Sequence, residues 1–373
     1  MLVKATFRWF GREDDSVSLE HIRQIPGIDG IVGALFDIPV GEVWPESRIM
    51  ELKEEINRNG MSLEVIESVN IHEDIKLGLP SREKYIENYK ETIRNLAKAG
   101  VKVICYNFMP IFDWTRSDLA KELPDGSTVL AYEKAKIESI EPLELIEQMK
   151  NLSNGYSLPG WEPERLNAIK QLFELYQDVT EEDLFDHLQY FLEQVIPVAE
   201  ECDIKMAIHP DDPPWSVFGL PRIVRSKENL ERIVKLVNSP SNGLTICSGS
   251  LGANPNHDIP DILCHFLKMN RVPFVHIRNI KIADNGNFQE TSHRSTEEGS
   301  LDLYKIVKVL HDHGFKGYFR PDHGRMIWGE KARPGYGLYD RALGIMYILG
   351  IWDSLEQNNK AVKKGEINNV TIN

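Results

Sequence analysis

The chain has 373 residues, room for one large α/β barrel with insertions or for two smaller domains, so size does not limit the core. Its 43 Lys and Arg against 57 Asp and Glu leave a net charge of −14 with no basic tail, which argues against a nucleic-acid partner. A hydrophobic share of 42% with 27% charged residues suits a soluble globular protein, and no apolar run approaches the roughly 18 residues that would span a bilayer.

The first ten residues, Met1 to Phe10, carry neither the apolar core nor the small-residue cleavage site of a secretory leader, which predicts a cytoplasmic protein. Within them Lys4 to Phe10 reads as a strand, followed by a brief helix from Ser18, its cap, to Gln24. Gly30 to Phe36 is an apolar run of the kind buried on both faces of a parallel sheet. Pro45-Glu46 opens a charged helix that stops near Gly60, and Ser62 to Glu67 supplies a third strand. A long amphipathic helix from Ser81 to Ala99 ends at Gly100, and Val101 to Asn107 follows as the fourth strand.

From Pro110 to about Pro163 the rhythm breaks into turn signals and short helical stretches, which reads as an insertion and, in a barrel, as a lid. Thr180-Glu181-Glu182-Asp183 then caps a helix running to about Cys202, and Ile204 to His209 is the fifth strand. Helix Ser226 to Val237, strand Leu244 to Cys247, helix Ile259 to Met269 and strand Pro273 to Arg278 continue the alternation. A polar loop to Gly299, a helix from Leu301 to Gly314, a strand ending at Arg320 and a helix from Tyr339 to Leu349 complete it. The polar tail, about residues 351–373, is expected to wrap the outside or fray.

Eight strands alternating with helices predict an α/β fold, a (β/α)8 TIM barrel with a long insertion after strand 4, as one catalytic domain over residues 1–373. An open doubly wound sheet is the competitor, but no Gly-x-Gly-x-x-Gly turn follows the first strand to support it.

His209, Cys247, His276 and Asp322 each close an apolar strand. Strand ends at the carboxyl face of a barrel converge on one axis, so two imidazoles, a thiolate and a carboxylate are expected to hold one divalent ion. The thiolate leans toward Zn²⁺ or Fe²⁺, the carboxylate toward Mn²⁺. The remaining cysteines, Cys105, Cys202 and Cys264, read as free thiols of the packing. His323, Arg325, Arg278, His257, Asn107 and Tyr336 lie near these strand ends as acid-base and anion-binding groups. Removing a proton beside a carboxylate needs a cation for the developing charge and a base in reach; His323 and Tyr336 are the candidates.

Five stretches carry a family resemblance: His209-Pro210-Asp211-Asp212-Pro213-Pro214, Cys247-Ser248-Gly249-Ser250, His276-Ile277-Arg278-Asn279, Arg320-Pro321-Asp322-His323-Gly324-Arg325 and Arg333-Pro334-Gly335-Tyr336-Gly337-Leu338-Tyr339. Together they resemble the mannonate dehydratase family from Phe7-Arg8-Trp9-Phe10-Gly11 through the Tyr339 helix, with no departure at a motif position. The resemblance implies a xylose-isomerase-like barrel binding Mn²⁺ or Fe²⁺ through His209, Cys247, His276 and Asp322. It also implies conversion of D-mannonate to 2-keto-3-deoxy-D-gluconate plus water in hexuronate breakdown, by a homodimer or higher oligomer. His323 and Tyr336 match the acid-base pair, and Arg278, Arg325, His257 and Asn107 are the expected contacts to the sugar acid. The rivals are a sugar isomerase or epimerase on the same barrel, a metal-dependent endonuclease and a non-catalytic sugar-acid binder.

Overall fold

Short runs rich in Val, Ile and aromatic side chains, each followed by an amphipathic helix, can cover both faces and both edges of a parallel sheet by closing it. The computed structural model describes residues 3–156, 169–283, 286–294 and 298–370. Among them twelve strands occur, in chain order β1 (Lys4–Arg8), β2 (Gly30–Gly33), β3 (Ser62–Glu67), β4 (Val103–Tyr106), β5 (Asp118–Glu122), β6 (Thr128–Tyr132), β7 (Lys205–Ile208), β8 (Asn242–Cys247), β9 (Phe274–Ile277), β10 (Ile280–Ile282), β11 (Phe288–Glu290) and β12 (Tyr318–Pro321). Strands β1, β2, β3, β4, β7, β8, β9 and β12 close in that order into a parallel eight-stranded barrel. Val32, Val65, Val103, Cys105, Ala207, Phe274 and Tyr318 form a buried cluster contributed by six of these strands. Pro321 stays in the ladder opposite Ile277, and the Asp322 N–H donates to the Ile277 carbonyl at 3.2 Å.

Helix boundaries follow local chemistry closely. Thr180 and Asp183 form a reciprocal capping box at the start of Glu181–Glu201. The closing helix departs from expectation. It runs Tyr339–Val370 rather than ending at Leu349, because Ile351, Trp352 and Leu355 remain buried along it and Gly350 does not interrupt it. No helix among the described residues is long and apolar enough to cross a membrane.

The insertion after β4 holds more than helical stretches. β5 and β6 form an antiparallel hairpin around Pro124-Asp125-Gly126, before helices Lys134–Ser139 and Pro142–Leu152. The segment after β9, expected to be loop, contains a second hairpin, β10 and β11. The two hairpins join as a four-stranded sheet in the order β10-β11-β6-β5, on segments that leave the carboxyl ends of β4 and β9. The turn signals Pro159-Gly160, Trp161 and Pro163 lie outside the described residues.

Candidate active site

Strand parity builds a metal cradle. Side chains two apart on a strand share a face, so His209 and His276 stand one step beyond Ala207 and Phe274, which fill the barrel interior. His209 Nε2 lies 3.1 Å from His276 Nδ1, Cys247 Sγ lies 3.5 Å from one Asp322 oxygen, and His276 Nδ1 lies 3.8 Å from the other. One donor atom each from His209, Cys247 and His276 falls within 4.8 Å of the other two. Two nitrogens bound at about 2.1 Å and roughly at right angles would stand about 3.0 Å apart, so the histidine spacing fits a shared ion.

The outer nitrogen of His209 is engaged, and that of His276 faces a carboxylate. His209 Nδ1 must donate to the Pro210 carbonyl at 2.7 Å, which leaves Nε2 with its lone pair for a metal, and His276 Nε2 lies 3.4 Å from Glu67. Cys247 caps the short helix Ser248–Gly252, its sulfur accepting from the Ser250 hydroxyl at 3.1 Å, which fixes its direction. A Cβ on Gly249 would fall 1.9 Å from Arg278 Nε, so this glycine is needed for Arg278 to cross the turn. Burial alone would raise the Asp322 carboxyl, but His323, Arg320 and Arg278 hold it well below the usual range, ready to ligate as carboxylate.

Beside these residues runs a hydrogen-bonded chain. Tyr336 Oη is 3.0 Å from His323 Nε2, and His323 Nδ1 is 3.1 Å from Glu290 Oε1. Burial, reinforced by the Asp322 charge, pushes the Tyr336 phenol up, so it is protonated at neutral pH. The loop carrying Tyr336 is stitched to β6: Met326 and Thr128 exchange backbone hydrogen bonds of 2.8 and 3.1 Å. Gly335, at φ +81°, leaves no room for a Cβ, which would lie 2.8 Å from Leu130.

Behind His323 lies a closed ionic lattice. Asp212 accepts from Arg116 at 2.8 and 3.0 Å and from Arg278 at 2.7 Å, while Glu290 Oε1 accepts from the same two arginines at 3.0 and 2.7 Å. All four side chains are buried, two cations against two anions. Burial alone would raise both carboxyls, but the arginines outweigh it and both are lowered. A carboxyl with a depressed folded pKa adds stability that is complete above its unfolded value, near 4, and is lost as pH falls through the folded value. Denaturant titrations should therefore show little change from these groups between about pH 7 and 5 and a decline below about pH 4. Greatest stability below pH 4 would contradict the ion pairing.

Asn107, His209, Asp322, His323 and Tyr336 line one cavity, which Cys247 and His276 reach through their contacts with His209 and Asp322. Arg278 is wholly buried and occupied by Asp212 and Glu290, so it positions rather than offering an open edge to a sugar acid. Two expected substrate contacts are not brought there. Arg325 clasps Asp340 and reaches Asp125, and His257 bonds the Leu251 carbonyl and Asn254; neither lines the cavity. Sequence reasoning missed Arg8, Glu67, Arg116, Asp212, Glu290 and Arg320. Asp212 and Arg320 stand within motifs at strand ends, and Arg8 and Glu67 close β1 and β3; Arg116 and Glu290 had no such signal.

Comparison with known proteins agrees with this geometry. A family model described as D-mannonate dehydratase (UxuA) matches residues 3–362. A mannonate dehydratase of Geobacillus thermodenitrificans is 73% identical over 364 residues, covering 98% of each chain. The crystal structure of mannonate dehydratase from Streptococcus suis serotype 2 matches with a TM-score of 0.87 at 45% identity, over 96% of each chain. A xylose isomerase domain protein from Planctomyces limnophilus, 11% identical with a TM-score of 0.54 over 95% of this chain and 99% of that one, is alike in fold alone. With the match running through every strand of the barrel and both roof hairpins, the chain belongs to the D-mannonate dehydratase family.

Proposed function

We propose that this chain removes water from D-mannonate to give 2-keto-3-deoxy-D-gluconate, in cytoplasmic hexuronate breakdown, as a homodimer or higher oligomer. The observation that carries this reading is the His323 and Tyr336 couple in the same cavity as the donors His209 and Asp322. His209, Cys247, His276 and Asp322 would hold Mn²⁺ or Fe²⁺, which supplies positive charge for the oxyanion that develops when the C2 proton leaves.

The proton chemistry falls to the chain itself. One member of the couple takes the C2 proton and the other delivers a proton to the departing C3 hydroxyl, so one water is lost and the enol left behind tautomerises to the ketone. Glu290 orients His323 through Nδ1 and fixes which face of the ring meets Tyr336. Trp114, whose ring stands edge-on to His323 at 6.1 Å, walls the same cavity, which supports a lid role for the described part of the insertion, residues 110–156, within a single catalytic domain.

Elemental analysis should find about one divalent ion per chain. Chelation should abolish α-keto acid formation from D-mannonate, and Mn²⁺ or Fe²⁺ should restore it better than Zn²⁺. Ketose formation from an aldose, with no α-keto acid from mannonate, would establish the isomerase reading instead. Full activity after complete chelation would remove the metal from the mechanism.

A further inference from the structure

Arg8 is a buried cation with no carboxylate in ion-pair contact among the described residues. It is 3% exposed and lines the cavity that holds His209, Asp322, His323 and Tyr336. Its Nη1 donates to the Val32 carbonyl at 3.1 Å and the Trp9 carbonyl at 3.4 Å, while Nε and Nη2 donate to no protein acceptor among the described residues. Its guanidinium packs over the Phe10 ring at 4.5 Å and the Phe36 ring at 5.5 Å, which fixes its plane. Among the described residues no carboxylate comes within ion-pair distance. The other arginine lining the cavity, Arg320, is neutralised by Glu67 at 3.0 Å and Asp322 at 2.8 Å.

A charge withdrawn from water without a partner is costly, and folds retain one where a ligand completes it. Burial pulls the Arg8 pKa down to about 10, with the more distant Glu67 charge opposing the shift, and Arg8 remains charged at neutral pH. The unused pair, Nε and Nη2, is one side of the guanidinium fork, whose two parallel N–H bonds match the two oxygens of a carboxylate. We infer that Arg8 is the anchor for the substrate's C1 carboxylate, gripping it through Nε and Nη2. The inference rests on the sugar-acid reading above, and it gives Arg8 the role that sequence position had suggested for Arg278, Arg325 and His257.

The test compares the metal-loaded wild type with Arg8→Gln and Arg8→Lys, each checked for an unchanged thermal transition and metal content. Arg8→Gln should raise the KM for D-mannonate about 30- to 1,000-fold with a much smaller change in kcat, the pattern of a lost binding contact. Arg8→Lys should recover part of it, and if Arg8→Gln does not fold, Arg8→Lys carries the comparison alone with an intermediate rise. D-mannitol, which has no carboxylate, should inhibit wild type and variants with Ki values within about threefold of one another. Calorimetry in a His323→Asn background, where mannonate is not consumed, should show the same loss of mannonate affinity. An unaltered KM for mannonate, or a mannitol Ki that rises in parallel, overturns the inference. A wild type that forms no α-keto acid from mannonate would instead overturn the reaction assignment.

Discussion

Replacing His323 with Asn lowers turnover by about 10²- to 10⁴-fold while each chain keeps its metal. Asparagine can fill much of the space and keep one hydrogen bond, to Glu290 or to Tyr336, but it cannot gain and lose a proton near neutral pH. His323 is a neighbour of the cradle rather than part of the closest donor group, which consists of His209, Cys247 and His276. Its replacement should therefore separate the two properties. Stopped α-keto acid assays alongside elemental analysis make the measurement. Turnover within threefold of wild type would end the proposed role, and a loss that tracks missing metal would reassign His323 to the cradle.

Asp212→Asn should destabilise the folded protein by about 3–5 kcal/mol, the usual result of removing one partner from a buried ionic group. Arg116 and Arg278 are completely enclosed; Arg116 would be left with Glu290 alone, and Arg278 with Glu290 and, at 3.3 Å, Asp322. The asparagine amide is nearly isosteric, so packing changes little and the loss is electrostatic. Denaturant unfolding of the metal-free protein isolates this effect from metal binding, and a cost below about 1 kcal/mol would show that water or rearrangement compensates the arginines. Activity should fall as well, because Arg278 and Glu290 fix His323 from behind.

The barrel was legible because its signals are local. Apolar runs of four to six residues end at Gly, Pro or a polar residue, and helical periodicity restarts after each. The cradle was legible for the same reason, since a ligand-type residue at a strand end needs only the barrel to bring it to the axis. The roof sheet was not. Ile280–Ile282 and Phe288–Glu290 are three residues each, too short to show alternation, although Asp125-Gly126 is a turn signal between β5 and β6. Arg116 and Glu290 carried no signal at all: a charge in a loop is ordinarily solvated, and these are buried only because residues 174 positions apart neutralise each other. Arg325 is close to His323 in sequence, but its backbone N–H and guanidinium bond Asp340, away from the cavity lining.

The two hairpins that meet above the barrel divide the labour of the enzyme between two inheritances. The candidate donors His209, Cys247, His276 and Asp322 stand at or next to the ends of β7, β8, β9 and β12, whereas Glu290 and the seat of the Tyr336 loop come from excursions that the barrel does not need in order to close. Changes in those excursions can shift Glu290 and Tyr336 while the strand-end residues keep their places, and His323, next to Asp322 on the barrel, is where the two parts meet. A scaffold arranged this way can diversify its chemistry by swapping its canopy while its foundations stay put.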